Sequence, residues 1–95
     1  MTLLINVAAG GLGIQAIQIA KVLGALVTAI AGNSQTEFLQ SYGPDKVYDY
    51  NQISIHDISD TFDVILDLTN LLTLQYMKKL LTPNGIFIPA EPNLT

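Results

Sequence analysis

Apolar residues in this chain fall into short unbroken runs separated by stretches in which they recur every three or four positions. Leu3 to Val7 is the first run, the pattern of a central parallel strand covered on both faces. Ala25 to Ala31 is the second, carrying Leu26, Val27, Thr28 and Ile30 and ending at Gly32-Asn33. Lys46 to Tyr50, Phe62 to Leu68 and Ile86 to Pro89 read as three further strands, the last entered through a Pro83-Asn84-Gly85 turn. Helical periodicity fills the gaps. Up to about Leu23, the residues Leu12, Ala16, Ile19 and Leu23 share one stripe, Gln15, Gln18 and Val22 share another, and Gly24 supplies the stop. Ser34 with Glu37 is a capping-box pattern opening a second helix, whose apolar side is Phe38, Leu39 and Tyr42 and whose end is Gly43-Pro44. Leu71 to Leu81 reads as a third helix, and Asn51 to Thr61 as a polar connection.

Strands and helices that alternate in this way predict an α/β fold with a parallel sheet and right-handed crossovers. A glycine turn after the first strand favours a Rossmann-type doubly wound sheet of about five strands in the spatial order 3-2-1-4-5. A full sheet of this type has a sixth strand. The expectation is therefore a partial domain over 1–95 whose open edge and apolar surface favour a homodimer or larger assembly.

The glycine turn brings in chemistry. Val7-Ala8-Ala9-Gly10-Gly11-Leu12-Gly13 follows a strand and opens a helix, where unsatisfied N–H groups and the positive end of the macrodipole can hold a pyrophosphate. It fits the G-x-G-x-x-G fingerprint except that Ala8 stands at the first glycine. Gly10 lets backbone approach phosphate, Gly11 frees the turn, and Gly13 lets the helix pack closely on the sheet. Ala9, Gly10, Gly11, Leu12 and Gly13 are thus the expected nucleotide contacts.

Composition narrows the partners. Four basic residues, all lysine, against eight acidic ones give a net charge of −4, which argues against nucleic acid. The chain has no cysteine, so it has neither disulfides nor a thiolate nucleophile, and a cytoplasmic setting suits it. Asn6, Gln15, Gln18, Lys21 and the glycines interrupt the apolar first thirty residues, so a membrane span is not expected. His56 stands without a metal-spaced partner and reads as solvated. Asp63 and Asp67 lie about 13 Å apart along a strand, too far for an acid/base pair, and read as strand-end residues. Lys78 and Lys79 complement the end of the third helix. No catalytic residue and no metal ligand is singled out.

The wording around the glycines, with Gln18-Ile19-Ala20-Lys21 and Leu23-Gly24-Ala25, resembles the cofactor domain of medium-chain dehydrogenase/reductases, most closely the zinc-independent quinone oxidoreductases. Tyr42-Gly43-Pro44-Asp45, Val47-Tyr48-Asp49-Tyr50, Phe62 to Asp67 and Leu81-Thr82-Pro83-Asn84-Gly85 are similar to later landmarks of that family, in order. The resemblance implies a parent enzyme in which bound NADPH delivers hydride to a quinone, alkene or carbonyl. It also implies a separate substrate domain that this chain lacks, so the chain by itself is not expected to reduce a quinone.

An NAD-preferring site needs a carboxylate at the end of the second strand, about 20 residues after the glycines. Ile30, Ala31, Gly32, Asn33 and Ser34 hold none, which favours NADPH over NADH. Where many relatives place a lysine, this chain has Gln35, so a 2′-phosphate relies on Asn33, Ser34 and Tyr50. Ser34 reads equally as a helix cap, and Tyr50 equally as a half-buried strand-end residue. Two other functions compete: a non-enzymatic binding or assembly fragment without useful nucleotide affinity, and an S-adenosylmethionine-dependent transferase, against which the missing acid at Ile30 argues.

Overall fold

A computed structural model of the chain describes residues 1–6, 11–32, 36–52, 57–67 and 78–89. In it β1 (Thr2–Asn6), β2 (Leu26–Ala31), β3 (Lys46–Asp49), β4 (Phe62–Asp67) and β5 (Leu81–Pro89) form one sheet in the order 3-2-1-4-5. All four pairings are parallel, with Leu4 opposite both Thr28 and Ile65. The expected α/β topology is therefore the observed one.

The sheet is buried on both faces, which is why its inner strands read as continuous apolar runs. Leu3, Ile5, Val27, Ala29 and Ala31 face α1 (Gly11–Val22) and α2 (Thr36–Gln40), where Ile17, Ala20 and Leu39 complete the first core layer. Leu4, Ile30, Phe62 and Ile65 face the other way and pack with Ile58 and Leu80. Successive residues of β1 thus serve opposite layers. Of the expected third helix, Lys78, Lys79 and Leu80 are described and are helical, and Leu81 already belongs to β5.

The stripe by which α1 meets the sheet is not the one expected. Gly13, Ile17 and Ala20 are buried, with Ile14 and Ala16 half-buried, whereas Ile19 and Leu23 of the expected stripe are 60% and 74% exposed, as is Val22 of the other stripe at 85%. The helix is apolar nearly all round, so counting apolar positions could not choose its inner side. Gly13 is buried, and Ile17 and Ala20 pack with Ala25, Ala29 and Ala31. The helix ends as expected. Gly24 takes φ 85°, its amide donates to Lys21 O and the Ala25 amide donates to Ala20 O, both at 3.0 Å, a Schellman closure.

α2 is short. Leu39 is its buried residue, while Phe38 stays half exposed with its ring edge on Tyr42, centroids 5.2 Å apart.

The fifth strand differs from its expected span. β5 begins at Leu81 opposite Phe62, then Val64 pairs with Ile86, so Asp63 alone faces Thr82 to Gly85. The expected Pro83-Asn84-Gly85 turn is an excursion within the ladder and not a lead-in to it. Proline has no N–H to give the ladder, and at Gly85 a Cβ would come within 2.8 Å of the Leu81 side chain.

Two carboxylates secure the amino ends of the strands. Asp63 Oδ2 accepts from the Thr2 amide at 2.9 Å and from Thr2 Oγ1 at 3.2 Å, while Asp63 Oδ1 accepts from Thr82 Oγ1 at 3.3 Å. Asp45 Oδ2 accepts from Lys21 Nζ at 2.8 Å and from the Val27 amide at 2.7 Å. The Thr2 amide, first, and the two threonine hydroxyls hold Asp63 below the ordinary carboxylate range; the Lys21 ammonium, then the Val27 amide, do the same for Asp45.

Two outcomes follow from this packing. Ile17→Ala empties a fully buried site and is expected to cost about 2–5 kcal/mol in urea denaturation. Because both aspartates have depressed values in the folded chain, the unfolded chain binds their protons first as pH falls. Their stabilisation is present above the ordinary carboxylate value of about 4 and is lost as pH drops through the folded values. The urea midpoint should therefore fall between about pH 5 and pH 2, and less steeply in Asp63→Asn, whose midpoint at neutral pH is lower.

Candidate functional site

A doubly wound sheet binds ligands outside the carboxyl ends of its strands, at the point where strand order reverses, here between β1 and β4. Gly11 and Leu12 open α1 beside that point, and Gly13 is buried beneath it. The first turn of α1 contains no acidic residue, so nothing on the helix offsets the positive end of its dipole. Ala9 and Gly10, also expected contacts, lie outside the described residues.

The carboxyl end of β2 carries no carboxylate among the described residues: Ala31 is buried and Gly32 half-buried. Tyr50 comes to this place from β3. The Tyr50 amide donates to Ala31 O at 3.1 Å, and Asp49, itself buried, turns the chain by accepting from the Asn51 amide at 2.9 Å. The phenol then lies against Gly32 so closely that a Cβ there would stand 3.0 Å from its oxygen. Tyr50 is 58% exposed and sits one residue beyond β3. Asn33 and Ser34 lie outside the described residues.

Sequence reasoning missed a second pair at the crevice. Asn6 and Asp67 end β1 and β4 and are register partners, and Asn6 Nδ2 donates to Asp67 Oδ1 at 3.2 Å. Asp67 is wholly buried. The available signal was a polar residue ending each of two apolar runs; reading Asp67 as a strand-end residue placed it correctly without recognising its partner.

At the opposite, amino end of the sheet a cavity of about 450 Å³ is lined by Thr2, Leu26, Thr28, Asp45, Lys46 and Phe62 among others. Lys46 pairs there with Asp60 at 3.4 Å, so its charge is already balanced. Lys78 and Lys79 are exposed, as expected, and His56 lies outside the described residues.

A family profile described as zinc-binding dehydrogenase matches residues 11–89. Over 94 residues the chain is 31% identical to the chloroplast envelope quinone oxidoreductase homolog of Arabidopsis thaliana, covering 95% of this chain and 29% of that protein. It is 37% identical over 79 residues to the mitochondrial NAD(P)H oxidoreductase RTN4IP1 of Mus musculus, covering 76% of this chain and 20% of that one. Among solved structures, the quinone oxidoreductase from Coxiella burnetii superposes with a TM-score of 0.83 at 29% identity, over 99% of this chain and 30% of that one. The chain thus spans less than a third of the length of these proteins. Among the described residues no three of His, Cys, Asp and Glu come together as metal ligands. Nor is any described helix long and apolar enough to cross a membrane.

The contact between Tyr50 and Gly32 can be tested in the free protein. Gly32→Ala forces the exposed phenol aside and leaves the strands in place. The Tyr50 ring signals in an NMR spectrum should shift, while stability changes by less than about 1 kcal/mol.

Proposed function

We propose, since the chain belongs to the zinc-binding dehydrogenase family and so to the medium-chain dehydrogenase/reductases, that it is the nicotinamide-nucleotide-binding part of a zinc-independent, quinone oxidoreductase-like enzyme with NADPH as its cofactor. The observation that carries this reading is the phenol of Tyr50 laid over Gly32 at an acid-free end of β2. A carboxylate in that place would accept the ribose hydroxyls of NADH and repel a 2′-phosphate. Its absence, beside an exposed phenolic O–H, suits the phosphate instead.

The chain's own residues supply binding and orientation. Amides at the start of α1, with Ala9 and Gly10 before it, would receive the pyrophosphate. Tyr50 would donate to the 2′-phosphate, joined by Asn33 and Ser34. When bound, the nicotinamide supplies the hydride. The acceptor, a quinone or another electron-poor carbonyl or alkene, belongs to the proposal, as does a cytoplasmic setting.

Calorimetric titration with NADPH and NADH tests the assignment. NADPH is expected to bind more tightly, and Tyr50→Phe to lose about tenfold of NADPH affinity with little change for NADH, the loss of one hydrogen bond to a charged group. Tighter binding of NADH would reject the NADPH assignment. Binding of neither by a folded chain would favour an assembly role. The observation behind that second reading is the outer edge of β5, where Ile86 and Ile88 are 59% and 45% exposed.

A further inference from the structure

We infer that Asn6 and Asp67 are a positioning pair that sets the end of β1 for the pyrophosphate and nicotinamide side of the nucleotide, an inference that rests on the cofactor reading above. Their place in the sheet gives the first argument. The pair lies at the last register position shared by β1 and β4, on the far side of β1 from β2 and Tyr50. If Tyr50 marks the phosphorylated ribose, a dinucleotide crossing the carboxyl ends of the strands brings its other half toward β4.

Burial gives the second argument. A carboxylate with no solvent exposure is costly unless hydrogen bonds satisfy it, and the amide of Asn6 provides one at 3.2 Å. Holding β1 to β4 does not require such a pair. Leu3, Leu4 and Ile5 already stand opposite Val64, Ile65 and Leu66, and Asp63 fastens the other end. Apolar residues in these positions would join the strands without a desolvation cost. With Thr2 and Asp63 already joining the two strands at the amino end, a wholly buried carboxylate at the crevice end points to the ligand. Asn6 is also where β1 stops, and five residues later α1 starts at Gly11. Fixing the Asn6 side chain therefore fixes the end of β1 relative to β4 and to the start of α1.

The test compares two probes on the chain, NADPH and 2′,5′-ADP, the second carrying only the adenosine half. Asn6→Ala should weaken NADPH about tenfold and change 2′,5′-ADP by no more than about twofold. The exchange variant Asn6→Asp/Asp67→Asn, which restores a carboxylate facing an amide, should return the ratio of the two affinities to its original value. A ratio unchanged in Asn6→Ala, whether both probes bind normally or both weaken together, overturns the inference. If Asn6→Ala does not fold, as judged by circular dichroism, the exchange variant decides alone: an original ratio supports the pair and an altered one rejects it. A wild-type chain that binds neither probe overturns the cofactor reading itself and this inference with it, an outcome distinct from normal binding with an insensitive ratio.

Discussion

How closely α1 can lie on the sheet decides most of what this chain can do. Among the described residues Ile17 and Ala20 on the helix, with Ile14 and Ala16 beside them, pack into a layer that includes Ala25, Ala29 and Ala31, and Gly13 is buried. Small residues on both sides favour a close approach of the two backbones. The start of the helix is thereby carried to the carboxyl end of β1, with its first amides beside the point where strand order reverses. A bulkier residue at position 13 or 20 would lift the helix and move those amides away from the crevice.

The two ends of the sheet are built for different purposes. At the amino ends Asp45 and Asp63 take backbone amides, hydroxyls and a lysine, and they tie β2 to the close of α1 and β1 to β4 and β5. At the carboxyl ends the polar groups are Asp49, which turns the chain so that Tyr50 reaches Gly32, and the half-buried Asn6 with the buried Asp67. Loops at that end can therefore meet a ligand while the opposite end keeps the strands in register.

The parts legible in the sequence were those governed by local chemistry. Strands buried on both faces appear as unbroken apolar runs, so β1 and β2 were found within a residue or so of their limits. Gly24 marked its stop because the left-handed backbone there favours glycine. Lys46 to Tyr50 was legible as a strand one residue longer than the observed β3, and the acid-free end of β2 was visible residue by residue. What depends on tertiary contact was not legible. The buried side of α1 was hidden because Ile19, Val22 and Leu23 are as apolar as the residues that face the sheet. The start of β5 was hidden because the strand pairs once, at Leu81, before its turn. Asn6 and Asp67 stand 61 positions apart, and no local pattern joins them.

The excursion from Thr82 to Gly85 has a further consequence. Pairing resumes beyond it in steady register, from Val64 with Ile86 to Asp67 with Pro89. A bulge of this kind separates length from alignment. Residues gained or lost between Thr82 and Gly85 would alter the rim at the amino end of the sheet and leave the crevice end as it is. The size of this segment can therefore vary without disturbing the strand ends at the crevice.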